Sequence, residues 1–387
     1  MVNIVLNIIG FILIFKWFKN SISDYKALSK KLDFFKIKRF KSIIVTFLMI
    51  SIPILIVNFT DLEVENHISN KNLEKYKSIY AVLISVFITM VWLIYIYRLD
   101  IFDKEKKRYI LLIIFLASVL TSFAEIPYHF IHSLEFTDAE NPIDSFIYSV
   151  FGIGLIEETV KFIPLLIVLW FTNEIDEPYD YILYASASAL GFSLIENAMY
   201  LNNHGLEIIS ARALYATVAH MTFSSMIAYG LFLIKYKRTR FPAIIVFLLF
   251  YFLAIFSHGF YDFWLINKSV KMFSGFTTLF FLTTIHVWYS MKNNTINISN
   301  YYNKNKVINN DKLQIYLSIS LLTIFMFSYV YVAFKWNSES ANVFIVKSAF
   351  TYGYIIFYLI ATLSNFNLVK GFVKPFKISF KHLVPKK

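Results

Sequence analysis

The sequence predicts an all-α, polytopic transmembrane helical bundle of about eleven spans. Three observations carry this. Of 387 residues, 58% are hydrophobic, 19% aromatic and only 16% charged, where a soluble domain has about 25% charged residues. Eleven stretches approach the roughly 20 apolar residues that a helix needs to cross a bilayer: 2–18, 42–59, 79–97, 109–131, 143–171, 181–201, 208–234, 241–264, 272–290, 314–334 and 342–363. The loops between them alternate in charge. With the N-terminus placed outside, the inner loops carry 27 Lys and Arg residues and the outer loops 6, as the positive-inside rule expects.

Taken in order, 2–18 starts at Met1 with no positive n-region, its lysines following it, which reads as a retained anchor rather than a cleaved signal. Residues 19–41 are strongly basic and read as a topology-fixing loop, or as a short amphipathic helix on the cytoplasmic surface. Spans 42–59, 79–97 and 314–334 contain no Asp, Glu, Lys or Arg. Segment 172–180 fits the alternation worst: it carries Glu174, Asp176, Glu177 and Asp180 and no basic residue. The tail after 363 is basic and expected inside. The chain divides into N-terminal spans (1–142), a four-span core (143–264) and C-terminal spans with a basic tail (265–387). Gly152, Gly154 and Gly191 are placed to let helix backbones approach closely.

Composition excludes several classes. Disordered chains are charge-rich and aromatic-poor. Zero Cys removes disulfides, thiolate metal sites and a Cys nucleophile. The net charge of +12 belongs to topology, so no nucleic-acid partner is expected; the lipid bilayer is the first partner.

Charged groups at membrane depth are costly and usually functional. Here they cluster in four consecutive spans. The fifth holds Glu157, Glu158 and Lys161 in GLIEETVKFIP. The sixth holds Glu196 and Asn197 in GFSLIENAMY, the seventh His220 in ATVAHMTFSS, and the eighth His258 and Asp262 in FSHGFYDFW. Residues i and i+4 share a helix face. Glu157 and Lys161 therefore share one, as do His258 and Asp262, and Phe192, Glu196 and Tyr200. Two adjacent carboxylates in a low dielectric share a proton or bind a cation. Carboxylates with imidazoles hold Zn²⁺ with a position left for water, and a further Glu serves as general base. A metal-free site, with Glu activating water and His or Asn steadying an oxyanion, uses the same residues. Each group also has a structural reading: Glu158–Lys161 as a buried ion pair, Glu196–Asn197 as interhelical polar glue, His220 as a bonded interior histidine. Arg212 and Lys347 lie near outer span ends, where they can snorkel.

The order EExxK, FxxxEN, lone His, HxxxD resembles the PrsW family of intramembrane proteases, related to the CAAX-protease and bacteriocin-processing membrane proteases. The resemblance covers 143–264 closely and 79–290 loosely. It implies an intramembrane endopeptidase that cuts membrane-anchored proteins, such as anti-sigma factors, near the outer face. Glu157, Glu158 and Lys161 are then catalytic. Glu196, His220, His258 and Asp262 are the expected metal ligands, with Zn²⁺ the expected ion, and Phe192 and Asn197 are expected at the substrate. The CAAX-type pattern has His where this chain has Glu196, so a metal-free glutamate mechanism stays open. The implied location is the cell membrane, multi-pass, N-terminus outside and C-terminus cytoplasmic. The alternatives are an ion- or proton-coupled transporter, whose repeated halves are not evident here, and an inactive family member that only binds membrane partners.

Overall fold

The computed structural model is built of helices, with no strand among its described residues, which are 5, 8, 10, 12, 16, 40–59, 75–133, 141–237, 239, 241–303, 305, 306, 309–365 and 369–373. Most of the proposed first span, residues 19–39 of the basic loop and most of the basic tail lie outside them. The helices are α1 (Phe40–Phe59), α2 (Lys77–Leu99), α3 (Lys107–Ser122), α4 (Glu125–Ser133), α5 (Pro142–Ile147), α6 (Leu155–Phe171), α7 (Pro178–His204), α8 (Thr217–Tyr236), α9 (Ala243–Ile266), α10 (Gly275–Asn297), α11 (Asn310–Lys335) and α12 (Ser338–Leu363). Two stretches widen into π-helix: Tyr148–Gly154 joins α5 to α6, and Arg212–Ala216 leads into α8.

Among the described residues, six helices are long and apolar enough to cross a membrane: Lys77–Leu99, Lys107–Ile131, Leu206–Tyr236, Ala243–Ile266, Asn310–Lys335 and Ser338–Leu363. Helix α7, at 27 residues, is long enough but too polar for that criterion. Its position explains this: residues 178–193 are buried without interruption, and a helix enclosed by other helices need not be lipid-soluble. It packs against α2, α3 and α8. Gly191 makes the α3 contact possible, since a Cβ there would lie 2.3 Å from the Ile114 carbonyl oxygen. The acidic stretch before α7 also turns inward. Glu177 caps α7 and Asp180 accepts the Asp176 and Glu177 amides, forming a capping box with Pro178 at the first position.

Interhelical bonds join the layers. Trp92 Nε1 donates to the Ala213 carbonyl (3.0 Å), Tyr179 Oη to that of Ile96 (3.0 Å) and Tyr95 Oη to that of Leu363 (2.9 Å). Helices α11 and α12 pack as a hairpin, with α1 beside α11.

Candidate active site

The π-stretch before α6 fits closely against α9. A Cβ on Gly154 would lie 2.7 Å from the Ile255 carbonyl oxygen, and one on Gly259 would lie 2.4 Å from the Val150 Cα. This contact brings His258 beside the first turn of α6. Of the glycines expected to allow close packing, Gly152 does not: its neighbour is the Tyr148 ring of its own turn. The sequence reading missed Gly259.

The ionisable residues of α6 to α9 converge. Lys161 Nζ lies 2.7 Å from Glu158 Oε1, 2.9 Å from His220 Nδ1 and 3.6 Å from Glu157 Oε2. His258 Nδ1 lies 2.9 Å from Glu158 Oε1, and Ser224 donates to Glu158 Oε2 at 2.9 Å. His258 Nε2 lies 3.3 Å from Glu157 Oε2 and 3.4 Å from Asp262 Oδ2. His220 Nε2 lies 2.8 Å from Glu196 Oε2. Phe192 presents its ring 4.4 Å from Lys161 Nζ and 5.1 Å from the His220 ring centroid.

The two adjacent glutamates differ in surroundings. Glu158 is fully buried, with both oxygens engaged by Lys161, His258 and Ser224. Glu157 lines a cavity of about 1370 Å³ together with Phe192, Glu196, His220, His258 and Asp262. Tyr128 donates to Glu157 Oε1 (2.9 Å), while its buried Oε2 has no hydrogen-bond partner. Glu158, Lys161 and Asn197 do not line the cavity.

Donor logic fixes the imidazoles. An ammonium cannot accept, so His220 Nδ1 accepts from Lys161 and Nε2 carries the proton given to Glu196. A carboxylate only accepts, so His258 Nδ1 donates to Glu158. That leaves His258 Nε2 facing two carboxylate oxygens, Glu157 Oε2 and Asp262 Oδ2. Close approach of three lone-pair atoms calls for a proton or a cation among them. One ligand atom from each of Glu157, His220 and His258 lies within 4.8 Å of the others; both His220 nitrogens are taken up by Lys161 and Glu196, which leaves Glu157 Oε2, His258 Nε2 and Asp262 Oδ2 as carboxylate and imidazole donors of the kind that suits Zn²⁺. The residues therefore fit a metal, and the orphaned Glu157 Oε2 is the atom best placed to take it.

Arg212 does not snorkel. It donates to Glu196 Oε2 (2.6 Å) and Asn197 Oδ1 (2.7 Å) and lies 4.2 Å over the Tyr200 ring. The chain reverses at Gly205, whose φ is 93°, and the π-turn at Arg212 returns its side chain to the end of α7. Asn197 is fully buried and also donates to Thr217 Oγ1 (2.9 Å). Nothing in the spacing of the motifs pointed to Arg212 or Tyr128, because each reaches the site from a separate turn of chain.

A second acidic group lies at the opposite end of the bundle, where Glu105, Asp176 and Asp180 approach one another. Burial pushes the Glu105 carboxyl up to about 7, with neighbouring acids adding to the Tyr184-bonded group. Burial likewise raises Asp100 to about 6 and Glu177 to about 7.

Comparison with known proteins bears on this constellation. A family model described as PrsW family intramembrane metalloprotease matches residues 106–289, a stretch that contains the converging residues of α6 to α9 with Tyr128 and Arg212. Protease PrsW of Geobacillus kaustophilus (strain HTA426) is 32% identical over 177 residues, covering 45% of this chain and 75% of that one. Protease PrsW of Oceanobacillus iheyensis (strain HTE831) is 33% identical over 147 residues, 37% of this chain and 63% of that one. Protease PrsW of Bacillus subtilis (strain 168) is 35% identical over 127 residues, 33% of this chain and 56% of that one. No solved structure matches.

Proposed function

Because the chain belongs to the PrsW family of intramembrane metalloproteases, we propose that its cavity at Glu157, His258 and Asp262 hydrolyses a peptide bond of a membrane-anchored protein. The observation that carries this reading is the convergence of Glu157 Oε2, Asp262 Oδ2 and His258 Nε2 within 3.3–3.4 Å at that cavity. Such a set can take a proton from water and return it to a leaving amine.

In the metal-free form Glu157 is the proton acceptor, since its Oε2 makes no hydrogen bond and Tyr128 fixes its other oxygen. Glu158 and Lys161 form the buried pair that holds both imidazoles in register. Glu196, braced by Arg212, orients His220 from its Nε2 side. Phe192 supplies an apolar wall to the substrate chain, and Asn197 anchors Arg212 rather than touching substrate. Glu157, His258 and Asp262 would hold Zn²⁺, and His220 would join them only on giving up its bonds to Lys161 and Glu196. Bound there, the ion supplies a water acidified toward neutral pH. Glu196 is the weakest candidate ligand of the expected set, because the Arg212 guanidinium already holds it.

The wider reading is a multi-pass protein of the cell membrane crossing it about eleven times, with the N-terminus outside and the C-terminus cytoplasmic. The 27-to-6 loop bias supports this orientation. Helices outside 143–264 frame that core. Membrane-anchored proteins such as anti-sigma factors, cut near the outer face, are the substrate class.

The test is cleavage of a membrane-anchored reporter peptide by purified protein in lipid. Glu157→Gln should lower the rate about 10²–10⁴-fold with the fold retained. Loss of cleavage on chelation, restored by Zn²⁺, supports the metal form, and cleavage that survives chelation supports the glutamate form. Undiminished cleavage by both Glu157→Gln and His258→Ala would remove the assignment.

A further inference from the structure

Far from the candidate active site, at the end of the bundle that carries the basic turns, a second concavity of about 460 Å³ is lined by Arg98, Ile101, Lys104, Asn305 and Lys306. Three separate pieces of chain build it: the last turn of α2, the α2–α3 turn and the loop before α11. From these three cationic side chains the geometry points to a binding site for a phosphate-bearing anion, the headgroup of an anionic lipid.

The cations are exposed yet held in place. The Arg98 guanidinium lies 4.1 Å over the Tyr316 ring. Lys104 Nζ donates to the Tyr97 carbonyl at 3.0 Å and sits 4.3 Å over the Tyr97 ring. Lys306 Nζ donates to the Phe102 carbonyl. These partners are rings and carbonyls, which fix position without cancelling charge. Among the described residues, none of the three forms an ion pair with a carboxylate. The same turn carries the exposed Asp103 and the buried Asp100 and Glu105; Asp100 accepts the Glu105 amide and attracts Lys104 and Lys306 without pairing directly with either. No acid lines the concavity itself, so the three cations there repel one another, and an anion among them relieves that repulsion.

The surface leading away from the concavity argues for a lipid over a soluble anion. Met90, Ile94 and Arg98 follow one another at i, i+4 on α2, so they share a face. Met90 and Ile94 are among its exposed apolar residues, and Ile319 is exposed on neighbouring α11. Tyr316, one turn before Ile319, ties α11 to the Val91 carbonyl at 2.6 Å. An acyl chain can lie along this strip while its phosphate reaches Arg98, Lys104 and Lys306. Basic pockets between membrane helices recognise anionic headgroups by this division of labour.

The experiment is native mass spectrometry of the full chain in mild detergent, titrated with phosphatidylglycerol, diacylglycerol or inorganic phosphate. A one-to-one phosphatidylglycerol adduct is expected. Its apparent affinity should fall at least about tenfold in the Arg98→Gln/Lys306→Gln double variant, given two lost cations of three. Lys268→Gln/Lys271→Gln has the same net charge and should bind as the unaltered chain does. Circular dichroism confirms that both variants fold. Equal phosphatidylglycerol affinity in all three proteins, or diacylglycerol binding as well as phosphatidylglycerol, would overturn the site. Inorganic phosphate binding as tightly as the lipid would overturn the lipid assignment.

Discussion

Glu157 and Glu158 are neighbours in sequence and opposites in surroundings. About 100° separates successive side chains on a helix, which turns Glu157 to the cavity and Glu158 into the packing of α6 against α8 and α9. Their substitutions should therefore fail differently. Glu157→Gln should lose activity with little change in melting temperature, because Glu157 Oε2 has no hydrogen bond to lose. Glu158→Gln should melt well below the unaltered protein, because Lys161 would keep a buried charge without its 2.7 Å partner; breaking such a pair costs about 3–5 kcal/mol. Thermal unfolding in lipid beside the cleavage assay separates the two, and equal melting temperatures would contradict the account. Arg212→Gln should reduce activity through His220, whose Nε2 partner Glu196 it braces, and Arg212→Lys should restore only part of it, lacking the planar fork whose separate nitrogens reach Glu196 and Asn197. The i, i+4 pairs of this site were legible in the sequence because helix geometry is local. Arg212 and Tyr128 were not, since their partners lie across a chain reversal and on another helix.

At the scale of elements, the site depends on one crossing, where the π-stretch Tyr148–Gly154 meets α9. The sequence showed a glycine-containing apolar segment there, but an i→i+5 turn leaves no periodicity to read, so 143–171 read as a single regular span. Gly259 carries the closest approach, against backbone that cannot swing aside. Gly259→Val should separate α9 from α6, moving His258 off Glu158 and removing activity along with several degrees of melting temperature. Gly152→Ala meets only the Tyr148 side chain and should be milder on both measurements. Matching effects at the two positions would mean that the crossing does not position the site. Helix α7 teaches the complementary lesson. Its length was legible, but its polarity makes sense only once its neighbours are known, because burial by protein and burial by lipid demand different side chains.

For the whole molecule, the all-α membrane class was legible from composition, because lipid-facing helices must be apolar along their length. The assembly of the opposite end was not: the acids of 172–180 looked like a surface loop, yet Glu177 and Asp180 are buried. Glu105 and Glu177, raised by burial to about 7, and Asp100, raised to about 6, bind protons more readily folded than unfolded. Stability should therefore fall as pH rises from about 4 to about 7 through these groups. Glu105→Gln should flatten that slope in thermal unfolding scans; an unchanged slope would contradict the assignment. The central claim is that Glu157 and its imidazole neighbours form a hydrolytic centre for membrane-anchored protein. It is tested most directly by reconstituting the purified chain in lipid with a membrane-anchored reporter and comparing it with Glu157→Gln by mass spectrometry of the products. The account predicts a single set of cleavage products from the unaltered chain and at least a hundredfold less from Glu157→Gln. Equal product from both proteins would contradict it.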